Sequence, residues 1–171
     1  MSNFKEDLVK VKAFAFDVDG VLSSQIIPLF PNGEPMRTAN IKDGFVIQLA
    51  VKLGYQIAII TGGQTDAVRQ RYINLGVQDV YMGVREKLPV FEEWIKKRKL
   101  SPENVLYMGD DLPDYPVMEK AGIPVCPSDA VEEIKTLCKY ISYKAGGEGC
   151  VRDVMEQVLR VHQQWGKDFT W

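Results

Sequence analysis

The sequence lacks most of the features that mark secreted, membrane and nucleic-acid-binding proteins. It has three cysteines, whose spacing matches no metal-binding pattern, and an odd count favours reduced thiols in a cytosol. No apolar run reaches the roughly 20 residues of a membrane helix, and the polar first residues lack the apolar core of a signal peptide. The net charge of −2 argues against general binding to nucleic acid or anionic membranes. We therefore expect a cytoplasmic protein with neither nucleic acid nor membrane as a partner.

Two nucleotide-binding motifs are also missing. The chain has no G-x-x-x-x-G-K-[ST] sequence, which excludes a P-loop, and no G-x-G-x-x-G after its first predicted strand, which argues against a dinucleotide site. The single histidine, His162, lies in a C-terminal helical pattern and is predicted to be structural or solvated. The basic run at residues 96–99 is predicted to be a solvated helix end, which suits the negative pole of the helix dipole.

What is present fits one α/β domain. The chain has 171 residues, of which 46% are apolar and 26% charged, enough for a single domain, 1–171, with a real core. Apolar runs alternate with helical patterns, which predicts a doubly wound parallel sheet covered by helices on both faces. The predicted strands are 11–16, 55–60, 80–82, 104–108, 123–126 and 140–143. The predicted helices are 43–53, 65–75, 86–99, 129–137 and 150–164, with a short one ending at 121.

A small hairpin interrupts this alternation. Residues 26–30 and 36–39 flank a turn that contains Asn32-Gly33, a pair typical of hairpins. The prolines at positions 28, 31 and 35 predict that the hairpin is irregular or lies at an edge.

The first predicted strand ends in two carboxylates, Asp17 and Asp19, followed by Gly20. In extended backbone, side chains two residues apart point to the same side. Two acids at the end of a buried strand are costly unless a cation lies between them, and hard divalent cations prefer carboxylate oxygens. These residues alone leave two interpretations open, a metal site or an acidic turn.

The fold argument favours the metal site. Ligands of parallel α/β sheets bind beyond the carboxyl ends of the strands. Asp17 and Asp19, the Thr61-Gly62-Gly63 turn, Asp110 and Lys87 are all predicted to lie at that edge. Carboxylates for a metal, together with a hydroxyl and a lysine, suit an oxyanion such as phosphate.

These segments resemble, in order, the four motifs of the haloacid dehalogenase superfamily of phosphotransferases. The motifs are Asp17-Val18-Asp19-Gly20-Val21, Thr61, Lys87, and Gly109-Asp110-Asp111 with Asp114. Residues 40–44, 87–89, 109–118 and 146–152 resemble its small cap-less branch. That branch contains 3-deoxy-D-manno-octulosonate 8-phosphate phosphatases and relatives that act on nine-carbon 2-keto-3-deoxy sugar acid 9-phosphates.

The resemblance implies a role for each motif residue. Asp17 would be the nucleophile, and Asp19 would be a general acid, protonated at the start, and then a base. Thr61 and Lys87 would hold the phosphoryl oxygens. Asp17, the backbone carbonyl of Asp19, and Asp110 would bind Mg²⁺. Asp111 and Asp114 would orient the residues that bind the metal and the phosphate without binding the metal themselves. Capping of the following helix is an alternative for both.

Substrate contacts are implied by position at Asn40, Lys42, Asp43, Gly44, Gly62, Gly63, Arg71 and Lys87. The chain departs from the octulosonate branch at two positions, since Gly63 and Gln48 stand where arginines are usual. The nine-carbon branch tends to have a glutamate at position 63, which is also missing. Arg85 could compensate for a lost positive charge. Ser23-Ser24 replaces the usual Thr-Asp, with no clear consequence.

The chain is too short to hold a cap domain between its motifs. A bare site would be open to water, which weakens its electrostatics, so something else should cover it. The relatives implied by the resemblance are homotetramers in which a neighbouring subunit helps to close each site. The apolar residues 26–30 are predicted to form such an interface, and the alternative is that they fold back on their own sheet.

We therefore expect a Mg²⁺-dependent phosphatase that acts on 3-deoxy-D-manno-octulosonate 8-phosphate in lipopolysaccharide synthesis. One alternative is the same chemistry on a nine-carbon sugar acid phosphate or on other small phosphate esters. Another is a non-catalytic assembly module, although the intact set of acids, threonine and lysine argues against it. A mutase is disfavoured, because retention of the phosphoryl group favours a closed cap.

Overall fold

In the computed structural model, which describes residues 4–166, six parallel strands form one sheet in the order β3-β2-β1-β4-β5-β6. The strands are β1 Ala13–Phe16, β2 Gln56–Ile60, β3 Asp79–Tyr81, β4 Val105–Met108, β5 Ile123–Cys126 and β6 Tyr140–Ile141. Because β1 pairs with β2 on one side and β4 on the other, the chain changes direction of travel across the sheet at β1. Ligands of open α/β sheets bind at such a switch point.

Seven α-helices are present among the described residues. They are α1 Phe4–Asp7, α2 Ile41–Lys52, α3 Asp66–Asn74, α4 Lys87–Arg98, α5 Tyr115–Lys120, α6 Glu132–Leu137 and α7 Cys150–Val161. Short 3₁₀ turns occupy Leu8–Lys10, Pro102–Asn104 and Leu112–Asp114. None of the helices in residues 4–166 combines the length and apolar character needed to cross a bilayer.

Alternate residues of β1 point into two different cores. Phe14 and Phe16 belong to the core shared with α2, α3 and α7, whereas Ala13 and Ala15 face the core shared with α4, α5 and α6. All four are fully buried, as expected for a central parallel strand with both faces covered. The doubly wound α/β fold predicted from the sequence is confirmed.

The predicted elements form with ends that shift by a few residues. Helix α2 begins at Ile41 rather than 43, because Asn40 accepts hydrogen bonds from the Lys42 and Asp43 N–H groups and caps it. Strand β6 has two residues rather than four. The fifth strand, which contains Pro124, lies next to the edge strand β6. Of the predicted C-terminal helix and tail, residues 167–171 lie outside the described residues.

The predicted hairpin forms in a reduced shape. One antiparallel bridge joins Leu29 and Pro35, the Phe30 N–H donates to the Glu34 carbonyl, and the Met36 N–H donates to the Pro28 carbonyl. Proline has no N–H to give to a ladder, which explains why the pairing does not extend. Ile26 and Leu29 are 84% and 61% exposed, so these side chains do not fold back on the sheet.

Candidate active site

A cleft of about 600 Å³ opens at the carboxyl ends of β1, β2 and β4. The predicted site residues that line it are Asp17, Asp19, Thr61, Gly62, Lys87, Asp110, Asp111 and Asp114. Gly20, Gln25, Val84, Arg85 and Pro113 complete the lining. The topology thus brings together residues that lie far apart in the sequence, as the sheet argument predicted.

Asp17 is the first residue after β1, and the sheet still holds its backbone. Its N–H donates to the Met108 carbonyl at 3.1 Å, and the chain then turns as the Val21 and Ser23 N–H groups donate to the Val18 carbonyl. The Asp17 Oδ1 atom accepts from the Val18 N–H at 2.7 Å. The carboxylate is thereby fixed in a buried position at the floor of the cleft.

Lys87 joins two carboxylates at this floor. Its Nζ lies 2.9 Å from Asp17 Oδ1 and 2.8 Å from Asp114 Oδ1, and its side chain is 5% exposed. Lys87 is the first residue of α4, which places the ammonium group against the carboxyl end of β1. An ammonium group has three donors, so one remains for an anionic ligand.

Asp114 supports this lysine from behind. Its Oδ1 also accepts from the Tyr107 hydroxyl at 2.7 Å, and its Oδ2 accepts from the Asp110 N–H at 3.3 Å. Tyr107 is fully buried in β4 and was not among the sequence candidates. Its position in an apolar strand gave no signal, because its hydroxyl is the only part that reaches the site.

The acids of the cleft repel one another. Burial, together with the nearby Asp114 charge, raises the pKa of Asp17 well above its ordinary value, although Lys87 opposes this. The same two causes raise the pKa of Asp110 to about 7. Burial by itself would lower the pKa of Lys87, but the charges of Asp17 and Asp114 raise it. One lysine therefore does not balance the three carboxylates.

The residues present fit a hard divalent cation. Oxygen atoms of Asp17, Asp110 and Asp114 lie within 4.8 Å of one another. The oxygens of Asp114 already accept from protein donors, which leaves Asp17 and Asp110 as the better placed carboxylates. A Cβ at Gly20 would fall 1.9 Å from Asp110 Oδ2, so the glycine lets this carboxylate approach the turn after β1. Carboxylate oxygens are the ligands that Mg²⁺ prefers.

The turn after β2 supplies a hydroxyl beside the acids. Thr61 is 1% exposed, and its N–H donates to the Tyr81 carbonyl. Its Oγ1 accepts from the Gly63 N–H at 3.1 Å. Gly62 lines the cleft, whereas Gly63 is not among the residues that line it. This turn can hold oxyanion atoms next to Lys87.

Asp111 lies at the rim rather than the floor. It is exposed, and its Oδ1 accepts from the Leu112 N–H at 2.7 Å, so it caps the 3₁₀ turn that follows. The capping alternative raised for Asp111 is thus what its side chain does in this structure.

Asp19 is paired with Arg37, which was also absent from the sequence candidates. The Arg37 Nε donates to Asp19 Oδ1 at 2.7 Å, and a terminal nitrogen donates to Oδ2 at 2.9 Å. An ion pair is the arrangement of an ionised Asp19, whereas the initial proton-donor role expected from the sequence requires a protonated one. Arg37 lies in an irregular segment, where no periodicity could indicate its direction.

Several predicted substrate contacts do not line the cleft. Asn40 caps α2 and donates to the Gly147 carbonyl at 3.0 Å, and buried Asp43 accepts from the Arg152 N–H at 2.7 Å. Gly44 packs against Arg71, since a Cβ there would fall 2.3 Å from a terminal nitrogen of Arg71.

Lys42 is exposed at the start of α2 and lines a separate surface groove that includes Phe45 and Trp165. Within one chain, the structure therefore does not bring this group of predicted substrate contacts to the cleft that holds Asp17.

The glycine-containing segment before α7 holds the turn after β1. The Gly147 N–H donates to the Val21 carbonyl at 2.8 Å. A Cβ at Gly146 would fall 2.0 Å from the Gly20 carbonyl oxygen, so the two backbones touch without intervening side chains. This segment therefore supports the loop that carries Asp17 and Asp19.

Comparisons with known proteins agree with this geometry. A model of haloacid dehalogenase-like hydrolases matches residues 79–152. The 3-deoxy-D-manno-octulosonate 8-phosphate phosphatases of Salmonella typhi and Escherichia coli K12 are each 40% identical over 149 residues, covering 87% of this chain and 79% of theirs. The chain belongs to the 3-deoxy-D-manno-octulosonate 8-phosphate phosphatase family.

Solved structures of phosphatases of this family share the whole fold. The Yersinia pestis phosphatase superposes with a TM-score of 0.92 at 30% identity, over 97% of this chain and 90% of that one. The Moraxella catarrhalis phosphatase has a TM-score of 0.88 at 32% identity, over 94% of this chain and 92% of that one. The latter was solved with a magnesium ion, a phosphate ion and a KDO molecule.

Proposed function

We propose that this chain is a Mg²⁺-dependent phosphatase that hydrolyses 3-deoxy-D-manno-octulosonate 8-phosphate to the free sugar acid and phosphate. The observation that carries the proposal is the buried Asp17–Lys87 pair, with Nζ and Oδ1 2.9 Å apart at the floor of an acidic cleft. This pair provides a nucleophile and a phosphate-binding cation at adjacent positions. Membership of the octulosonate phosphatase family supports the choice of substrate.

The reaction divides between the two aspartates after β1. Asp17 attacks phosphorus and forms an aspartyl-phosphate as the bond from phosphorus to the sugar oxygen breaks. Asp19 gives a proton to that oxygen and later takes one from the water that hydrolyses the intermediate. Its side chain is 43% exposed at the cleft, where a leaving oxygen or a water molecule can reach it.

The remaining residues bind the phosphoryl group and offset the negative charge of the substrate. Lys87, the Thr61 hydroxyl and the backbone at Gly62 are proposed to hold phosphoryl oxygens, and the Gly63 N–H orients the Thr61 hydroxyl. Mg²⁺, held by Asp17, Asp110 and the Asp19 carbonyl, would reduce the repulsion between an anionic nucleophile and an anionic substrate. Asp114 fixes Lys87, and Asp111 stabilises the turn at the rim.

We further propose that residues 1–171 form one phosphatase domain that acts in the cytoplasm, in lipopolysaccharide synthesis, as a homotetramer. The two sheet faces share β1 and leave no separable unit among the described residues. The exposed Ile26 and Leu29 suit an interface with another copy. In such an assembly, Asn40, Lys42, Asp43, Gly44 and Arg71 remain proposed substrate contacts, reached across subunits or through the elements that they hold in place.

A panel of substrates tests the function directly. Purified protein with Mg²⁺ should release phosphate from 3-deoxy-D-manno-octulosonate 8-phosphate with a higher kcat/KM than from nine-carbon sugar acid 9-phosphates or simple sugar phosphates. The Asp17→Asn variant should lose at least about 1,000-fold in kcat, because no other group can form the covalent intermediate. A chelator should abolish turnover, and added Mg²⁺ should restore it.

The matched control is Asp66→Asn, which removes one carboxylate from the exposed start of α3 and should leave activity unchanged. Preference for a nine-carbon acid would assign the chain to the second substrate class. Absence of turnover on every ester would favour the non-catalytic assembly module, and full activity of Asp17→Asn would refute the mechanism.

A further inference from the structure

Arg85 is the second positively charged residue that lines the cleft, beside Lys87. Lys87 is buried and already paired with two carboxylates, whereas Arg85 is exposed to solvent. Within residues 4–166, the Arg85 guanidinium group has neither an ion-pair partner nor a hydrogen-bond partner. Its five N–H donors are therefore all available to a ligand in the cleft.

Backbone hydrogen bonds hold the segment that carries Arg85 against the turn after β2. The Val84 N–H donates to the Thr61 carbonyl at 2.9 Å, and the Gly83 N–H donates to the Gly63 carbonyl at 2.9 Å. Because Arg85 follows these residues directly, its backbone lies beside the turn that is proposed to bind phosphoryl oxygens. The end of the sheet therefore sets the place from which the Arg85 side chain extends.

The backbone also directs Arg85 to the side on which Lys87 lies. Glu86, which separates the two cations, has an extended backbone with a φ of −114° and a ψ of 106°. In extended backbone, side chains two residues apart point to the same side. Lys87 reaches the buried floor, and Arg85 lines the same cleft but stays exposed. A ligand with its phosphate at Lys87 would therefore extend towards solvent past Arg85.

Acidic residues dominate the rest of the cleft. Its other charged lining residues are Asp17, Asp19, Asp110, Asp111 and Asp114. These acids would repel the carboxylate of a sugar acid once Lys87 is engaged with the phosphate, so a second cation is needed near that carboxylate. Arginine binds a carboxylate through two parallel hydrogen bonds, which are stronger than bonds between neutral groups.

We propose that Arg85 is a specificity-determining residue that binds the carboxylate of the sugar acid phosphate while Lys87 binds the phosphoryl group. The inference rests on the proposed phosphatase function and deepens it. It applies equally to eight-carbon and nine-carbon 2-keto-3-deoxy acids, because both carry the carboxylate at the end of the carbon chain opposite the phosphate. It separates them from aldose phosphates, which have no carboxylate.

The test compares kcat/KM for the sugar acid phosphate with kcat/KM for mannose 6-phosphate, an aldose phosphate. Arg85→Ala should lose about 30-fold on the sugar acid phosphate, mainly through a higher KM, because a hydrogen bond between charged groups contributes in this range. On mannose 6-phosphate it should lose less than about threefold, because that substrate does not make the contact. Arg85→Lys, which keeps the charge without the planar fork, should fall between Arg85→Ala and wild type.

Titration calorimetry makes the same comparison without turnover. With Mg²⁺ present, Arg85→Ala should bind the free sugar acid about 30-fold more weakly than wild type does. Its affinity for inorganic phosphate should change by less than about threefold, because phosphate lacks the carboxylate. The matched control is Arg69→Ala, which removes an exposed arginine from α3 outside the cleft lining and should change none of these values.

Two results would overturn the inference. Equal losses on the two esters, or for the two products, would place Arg85 at the phosphoryl group. Unchanged affinity for the sugar acid would show that Arg85 is a solvated side chain. Failure of the proposed function is a different result, in which the wild-type protein hydrolyses no phosphate ester. The calorimetric comparison would then still decide whether Arg85 binds the carboxylate.

Discussion

At the scale of single residues, Asp43 is a buried acid whose carboxyl group has few hydrogen-bond partners. It is 2% exposed, its Oδ1 accepts from the Arg152 N–H, and its Oδ2 has no hydrogen-bond partner. Burial raises its pKa from the ordinary 3.8 to about 6, although the Arg152 N–H and charge oppose this. The acceptor caps α7 from a neighbouring helix, since the N-cap residue Gly149 has no side chain to do so.

Asp43→Asn should change how stability depends on pH. With a raised pKa in the folded state, the contribution of Asp43 is most favourable below pH 4 and is lost as the pH rises through about 6. Asparagine keeps the acceptor without the charge. The free energy of unfolding of the variant relative to wild type should therefore rise by up to about 3 kcal/mol between pH 3.5 and pH 8. Urea unfolding of both proteins at these pH values measures it.

Asp43→Ala is the companion variant, because alanine removes the acceptor as well as the charge. It should be less stable than Asp43→Asn by about 1 kcal/mol at either pH, the usual value of a helix cap. A difference between Asp43→Asn and wild type that does not change with pH would show that Asp43 carries the same charge throughout this range.

The floor of the site could be predicted from the sequence, but its supports could not. Asp17, Thr61, Lys87 and Asp110 follow strand ends or begin a helix, and the parallel topology dictates that such positions meet. Arg37 and Tyr107 act through side chains whose direction depends on packing between distant segments. No local sequence pattern encodes that direction. The position of the Arg37 guanidinium next to Gly63 could therefore not be predicted from the sequence.

At the scale of elements, the segment between β6 and α7 acts on β1 through backbone contacts. A Cβ on Gly147 would lie 2.5 Å from the Ser24 nitrogen, and the residue has a φ of +72°. Gly54, at the end of α2, has a φ of +90° with no atom within 4 Å of a built Cβ. The two glycines thus share their left-handed backbone and differ in what surrounds them.

Gly147→Ala and Gly54→Ala form a matched pair. Gly54→Ala should cost about 1–2 kcal/mol of stability, the strain of a left-handed alanine, and leave kcat/KM unchanged. Gly147→Ala carries the same strain and must also displace the turn after β1. Its kcat/KM should fall about 100-fold, since a displacement of about 1 Å in a reacting group has effects of this size. If kcat/KM changes equally in the two variants, the contact between Gly147 and Ser24 does not position Asp17.

The elements themselves were predictable because their signals are local. Apolar runs located all six strands, and the stop signals at Gly54 and Gly76 fixed two helix ends to within two residues. The hairpin was harder, since its prolines leave a single bridge between Leu29 and Pro35. Its exposure depends on the path of the whole segment over the surface, which no residue in it determines.

At the scale of the whole molecule, the proposed assembly can be tested at the exposed hairpin. Ile26→Ser with Leu29→Ser should lower the molar mass measured by light scattering after gel filtration, because these side chains are 84% and 61% exposed in one chain. Activity on the sugar ester should fall with the mass if a neighbouring copy covers the cleft. Ile141→Ser, on the edge strand β6, is the control, because Ile141 is also an exposed apolar residue. An unchanged mass would place the interface elsewhere.

The hydrogen bond between the Gly147 N–H and the Val21 carbonyl also affects when the site can form during synthesis of the chain. Asp17, the proposed nucleophile, lies near the start of the sequence, yet the hydrogen bond that holds its turn comes from a residue made more than a hundred positions later. Likewise, both sides of β1 can be paired only after β4 has been synthesised. A growing chain on the ribosome therefore carries Asp17 long before the turn that follows it is held in place.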